Sequence, residues 1–159
     1  MRQFYYLLTM LFMLGVQYSG SAYADPPDDE QGLLIQLSGT SVQGKRITLP
    51  DAHHPYTLIV LWATWCPICL SEMPAFNAFY ARHQKEGLLL LGLNVDTDPV
   101  QLQHYLQQHA VLFPIIQRDK NGERDSLHHL GVTPVNYLVG ADGRIRWRRV
   151  GPLDDILNQ

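Results

Sequence analysis

The stretch TLIVLWATWCPIC, Thr57 to Cys69, constrains the fold more than any other part of the chain. Its first half, Thr57 to Ala63, is continuously apolar and rich in β-branched and aromatic residues, the pattern of a central strand buried on both faces. Directly after it come Cys66 and Cys69, the chain's two cysteines, and then a run in which Leu70, Met73, Phe76, Ala78, Phe79 and Tyr80 recur at helical spacing to about Gln84. Pro74 falls inside that run and predicts a kink, because it removes one helical hydrogen bond and crowds the preceding turn. Gly87 ends the helix, and LLLLGLNVD reads as a second buried strand.

The remaining elements follow from local signals. Asp98 caps a helix opened by Pro99 and carried by VQLQHYLQQH to about His109. LFPIIQ reads as a strand, DKNG as a turn, RDSLHHLGV as a short helix ending at Gly131, and VNYLV with RIRWRRV, joined by GADG, as a closing antiparallel hairpin. Upstream, short alternating segments around Ser38-Gly39 and Gln43-Gly44 predict an N-terminal hairpin. The architecture implied is α/β: a central mixed sheet with helices on both faces, a βαβ unit feeding a ββ hairpin.

A chain of 159 residues is about one domain long. Its formal net charge of −3 lacks the basic footprint of a nucleic-acid binder. The first residues have a basic start at Arg2, an apolar core from Phe4 to Val16 and a small-x-small ending at Ala22-Tyr23-Ala24, the layout of a secretory signal peptide over residues 1–24. The alternative is an anchor from Phe4 to about Tyr23 that is retained, the one route by which this chain would associate with a membrane. An acidic, Pro-rich leader over 25–31 then precedes a folded domain over 32–159. Either reading exports the domain, with the periplasm as its compartment.

Export changes what the cysteines can be, since disulfides persist outside the cytosol. A bridge between Cys66 and Cys69 closes so small a loop that its chain-entropy gain is slight, and a domain of this size folds without one. Redox chemistry explains the pair better. Cys66 lies at a helix N-terminus, where free N–H groups and the helix dipole favour a thiolate, and is the expected nucleophile. Cys69, one turn inside, is placed to resolve a mixed disulfide. Pro67 suits the first helical position. Ile68 offers the thiolate neither charge nor hydrogen bond, so the couple leans towards a reductant. Glu72, three residues beyond Cys69, is either a base that moves the Cys69 proton through a water or a solvated surface carboxylate.

Metal chemistry fits less well. A structural zinc needs four ligands, and neither His53-His54 nor His128-His129 gives a zinc spacing with the cysteines; these pairs read as exposed polar positions. No metal and no cofactor is called for, because the electrons reside in the thiols.

The segment WATWCPICLSEMP resembles the active-site segment of thioredoxin-fold thiol-disulfide exchange proteins, and more closely their exported TlpA/ResA/CcmG branch, in which it reads W-A-x-W-C-x-x-C-x-x-E-x-P. Trp62, Ala63, Trp65, Cys66, Cys69, Glu72 and Pro74 fall on those positions. The segment from Gly87 to Gly122 looks like the strand-helix insertion of this branch, and GVTPVNYLVGADGRIRWRRVG like its closing segment. The resemblance covers about residues 33 to 151. It implies a thioredoxin-like fold, a cis bond between Thr133 and Pro134, Pro134 packed beside the cysteines, and a substrate surface made by Thr133, Pro134, Trp65 and Pro67. It also implies that Glu72 tunes the cysteine pair.

What the resemblance implies for function is an exported reductase of partner-protein disulfides, such as those of apocytochrome c or copper-site assembly proteins, acting as a monomer and recharged by a membrane thiol donor. An oxidase or isomerase of the same fold is the alternative. A copper-carrying assembly factor is a third, although such thioredoxin-like carriers have three residues between their cysteines where this chain has Pro67 and Ile68. There are two departures from the wider fold. Val60 stands where cytoplasmic-type thioredoxins carry a buried Asp, and PLDDILNQ leaves room for barely two turns of terminal helix. Finally, period-2 alternation in RIRWRR places Arg144, Arg146 and Arg148 on one face and Ile145 and Trp147 on the other. That basic face is either the charged outside of an edge strand or a steering surface for an acidic partner.

Overall fold

The computed structural model describes residues 30–118, 126–127, 131–153 and 157. The expected signal segment, nearly all of the leader, the DKNG turn and most of the short helix before Gly131, with His128 and His129, lie outside them. In chain order the elements are β1 (Leu37–Thr40), β2 (Arg46–Leu49), β3 (Tyr56–Trp62), α1 (Pro67–His83), a 3-10 turn (Gln84–Glu86), β4 (Leu88–Asn94), α2 (Pro99–Gln108), β5 (Ile115–Gln117), β6 (Val135–Gly140) and β7 (Ile145–Val150). β1 and β2 form the N-terminal hairpin, and the other five strands form one mixed sheet in the order β5-β4-β3-β6-β7. β3, β4 and β5 run parallel, while β6 and β7 are antiparallel to their neighbours. No helix among the described residues is long and apolar enough to cross a membrane.

The unbroken apolar runs of β3 and β4 are explained by two cores. Ile59, Leu61, Leu89, Leu91 and Leu93 face one side, where they meet Leu37, Ile47 and Leu49 of the hairpin, and Leu127. Leu58, Val60, Trp62 and Leu90 face the other, where they meet Met73 and Phe76 of α1 and Leu102 and Tyr105 of α2. Among the described residues, then, both helices share one face and the hairpin covers the opposite one. The hairpin brings apolar surface to the second core, and the short helix expected over RDSLHHLGV lies mostly outside the described residues.

α1 continues through Pro74, which is exposed on its outer side. The helix passes into the 3-10 turn and stops at Gly87, whose φ of 89° is left-handed. Gly92 answers a different need: a Cβ there would lie 3.0 Å from Trp62 Nε1 and 3.1 Å from Phe113, crowding both rings.

Both sheet edges are covered. Along β7, Gly32 N–H donates to Ile145 O and Ile145 N–H to Leu33 O, while beside β5, Val42 N–H donates to Ile115 O. The basic alternation expected for β7 does not hold. Leu138 pairs with Trp147 but Val139 with Ile145, leaving Arg146 as a bulge. That extra residue puts Ile145 in the hairpin-side core and turns Trp147 to the helix side. It also turns Arg148 inward, over the ring of Tyr137 at 5.9 Å and against Glu30 at 3.4 Å. Arg144 donates to Gly32 O and Arg146 pairs with Asp142, so the arginines serve the N-terminal strap and the turn.

Candidate active site

β3 ends at Trp62, and four residues later Cys66 caps α1. Its backbone is extended, Pro67 follows at the first helical position, and Cys69 N–H donates to Cys66 Sγ at 3.2 Å. A sulfur that already accepts an amide hydrogen bond at the positive end of a helix is favoured as a thiolate once reduced. Cys66 and Cys69 are joined as a disulfide, with Cα atoms 5.3 Å apart. Both are enclosed by the helix-side core, Cys66 at 5% exposure and Cys69 at 1%.

The surface above them is apolar. Trp65 is 57% exposed and Ile68 51%, with Pro67 also exposed between them, while Val132 and Val150 stand open at the neighbouring strand ends. The Thr133-Pro134 bond is cis, as the resemblance implies. Pro134 is buried one residue before the Leu61–Val135 pair, at the end of the sheet from which the Cys66 loop departs. Thr133 is half-buried, and its Oγ1 has no hydrogen-bond partner among the described residues.

Glu72 separates the two readings the sequence left open. It is 3% exposed and is not a solvated surface carboxylate. Its Oε1 accepts a 2.6 Å hydrogen bond from the backbone N–H of Leu153, 81 residues away. A carboxylate this deep, one turn beyond Cys69, is shielded from bulk water.

Three residues absent from the sequence reading complete the surroundings. Asp96, 2% exposed, accepts from the backbone N–H of Thr64 and from Asn94 Nδ2, fixing the loop that leads to Cys66. Asn136, fully buried, donates from Nδ2 to Gly151 O at 2.8 Å. Asp96 and Asn136 each interrupt an apolar strand or its end, in LLLLGLNVD and VNYLV, and that polar interruption is the signal that could have marked them. Leu153 carries no such signal, since only its backbone takes part.

The family model described as AhpC/TSA family matches residues 33–148. Thiol-disulfide oxidoreductase ResA of Bacillus cereus is 27% identical over 112 residues, covering 70% of this chain and 64% of that relative, so the match spans less than two thirds of its length. Sporulation thiol-disulfide oxidoreductase A of Bacillus subtilis is 26% identical over 147 residues, covering 91% of this chain and 87% of the relative. The crystal structure of StoA from Bacillus subtilis superposes with a TM-score of 0.65 at 23% identity, over 83% of this chain and 98% of that one. With a thioredoxin-like sheet shared at that level and a family match over most of its length, the chain belongs to the AhpC/TSA family.

Proposed function

We propose that the chain is an exported, periplasmic thiol-disulfide oxidoreductase that reduces disulfides in partner proteins. The observation that carries this reading is the Cys66–Cys69 disulfide at the cap of α1 with Glu72 buried one turn behind it. The names of the two curated relatives, both thiol-disulfide oxidoreductases, support it.

In the reduced protein the Cys66 thiolate attacks one sulfur of a substrate disulfide. A mixed disulfide forms and the first substrate sulfur leaves as a thiolate. Cys69 gives its proton to Glu72 and attacks Cys66 Sγ; the Cys66–Cys69 disulfide forms, the second substrate sulfur leaves and is protonated. Two electrons pass from the protein to the substrate; the Cys69 proton reaches one leaving sulfur by way of Glu72, and the other leaving sulfur takes its proton from water. Trp65, Pro67, Thr133 and Pro134 form the surface on which the substrate segment lies, the backbone of Thr133 pairing with it as an added strand. The partners are disulfide-containing exported proteins, with apocytochrome c or copper-site assembly proteins as the class. A dithiol donor in the membrane returns the two electrons, and the protein works as a monomer.

The test is the redox equilibrium of Cys66–Cys69 against a dithiol standard. A potential near that of thioredoxin, about −270 mV, is the expected result, and one near that of a strong oxidant, about −120 mV, reverses the direction of flow.

A further inference from the structure

Asn136 stands where β6 leaves the cis-Pro134 turn, directly across the ladder from Val60. Cross-strand partners share a face, so its side chain lies on the helix side of the sheet, with the cysteines. It is the start of a chain of contacts. Asn136 Nδ2 donates to Gly151 O at 2.8 Å, Gly151 N–H donates to Pro134 O at 2.9 Å, and two residues on Leu153 N–H donates to Glu72 Oε1 at 2.6 Å. The segment Gly151–Leu153 is thereby fastened at one end to the Pro134 turn and at the other to the carboxylate beyond Cys69. Gly151, at φ 98°, lets the chain leave β7 and enter this strap, a conformation that strains any residue with a Cβ. Leu153, fully buried, anchors the far end in the same core as Cys66 and Cys69.

The amide of Asn136 is not explained by stability. Its Oδ1 is buried with no hydrogen-bond partner among the described residues, an arrangement that costs about 1–3 kcal/mol and that an apolar residue of the same size would avoid. Resting on the exchange reading above, we infer that Asn136 is a positioning residue that holds the Gly151–Leu153 strap so that the Leu153 N–H meets Glu72 and the Pro134 turn is kept in step with it. A hydrogen bond to a carboxylate is about twice as strong as one to a neutral acid. Gain of a proton by Glu72 therefore loosens Leu153, and the strap carries that change to Gly151 and the turn against which the substrate lies. Transfer of the Cys69 proton and the grip on the substrate are linked through three hydrogen bonds.

Among the described residues, the other titratable side chains packed on this face are Cys66, Cys69, Tyr80 and Tyr105, with His109 stacked on Tyr105 and His83 against Phe79. Burial pushes Tyr105 up from its ordinary value. Arg82, near the far end of α1, donates to Leu157 O at 2.8 Å.

The test is a pH titration of the reduced full-length protein from about pH 5 to about pH 9, followed by nitrogen-15-resolved spectra of the Gly151 and Leu153 amides and the Asn136 carboxamide. One shared transition in all three is expected. A transition at Leu153 with a still Asn136 carboxamide, or none at Leu153, overturns the inference. This readout needs no activity: a wild-type protein inert towards every model disulfide would sink the exchange reading and leave the titration to judge the strap. In kinetics, Asn136→Leu should slow release of the mixed disulfide about fivefold near neutral pH, the worth of about one net hydrogen bond, and displace its pH profile. The same change should add nothing in a Glu72→Gln background, and Asn136→Ser, which keeps a donor, should recover part of the rate. Slowing that is additive with Glu72→Gln and leaves the profile in place would mean packing alone and overturns the inference. Should Asn136→Leu fail to fold, the wild-type titration still decides.

Discussion

The backbone N–H of Thr64 points at the carboxylate of Asp96, 3.0 Å from Oδ1 and 3.3 Å from Oδ2. Asp96 is buried, and it also accepts from Asn94 Nδ2 at 3.0 Å while its own N–H donates to Asn94 Oδ1 at 3.2 Å. The end of β4 thus holds the loop between Trp62 and Cys66, and the two parallel strands set where the Cys66 sulfur lies.

Replacing Asp96 with Ala strands the Thr64 N–H and the Asn94 amide without their acceptor. Urea unfolding should show a loss of about 1–3 kcal/mol, the cost of unsatisfied buried donors. Attack on a model disulfide peptide should slow as well, because the Cys66 loop loses its tie. An unchanged midpoint and slope would mean that water replaces the carboxylate at no cost.

Cys69→Ala should accumulate mixed disulfides through Cys66, since the attacking thiolate stays and the resolving thiol is gone. Mass spectrometry of the trapped species identifies the partner and the sulfur used. Equal trapping by Cys66→Ala through Cys69 would reverse the two roles.

Gly92→Ala pushes a methyl group to 3.0 Å from the Trp62 indole and 3.1 Å from Phe113, both of which are fully buried. Overpacking of this kind costs about 1–3 kcal/mol. The predicted signature is a lower unfolding midpoint with the redox potential unchanged, because Cys66 and its amide donor do not touch Gly92.

Much of this was legible in the sequence for a physical reason. The buried strands, the Pro67 and Asp98 helix starts, the Gly87 stop and the Cys66–Cys69 pair are encoded by neighbours along the chain, and all stand as read. What escaped depends on distant partners. The burial of Glu72 is set by Leu153, and the inward turn of Arg148 by a one-residue bulge opposite Leu138 and Val139 together with Glu30. Likewise, nothing local in β1 and β2 announces that their hairpin packs on the core beneath Ile59 and Leu61.

Asp51 supplies a pH test of stability. Burial raises its carboxyl, but the His53 backbone N–H and the His54 side chain, 2.8 Å away, outweigh that and hold it below its ordinary value. A lowered carboxyl in the fold stabilises at pH values above the unfolded group's, and the contribution fades as pH falls through the folded value. Asp51→Asn keeps the shape and removes the charge, so it should cost roughly 0.5 kcal/mol at neutral pH, given the partial exposure of the pair. Once pH has fallen below the lowered value of the folded carboxyl, the difference from wild type should vanish. A penalty in urea unfolding that persists there would assign the effect to shape.

The sharpest prediction concerns Glu72. Cys69 is 1% exposed, so its thiol has little access to solvent base, and Val60 cannot supply the carboxylate that the wider fold places in that strand. Glu72→Gln keeps an oxygen for the Leu153 N–H and so preserves the 151–153 strap, while removing the proton acceptor. Release of the mixed disulfide should therefore slow near neutral pH, by about 10²-fold if Glu72 acts as a general base, and recover as hydroxide takes over the deprotonation. Attack by Cys66 should change little, since its stabilisation comes from the Cys69 N–H at 3.2 Å and the start of α1. Stopped-flow measurements on a model disulfide peptide from about pH 6 to about pH 9 separate the two steps. If both steps keep the wild-type pH profile, the proton leaves Cys69 by another route and Glu72 serves only to anchor Leu153.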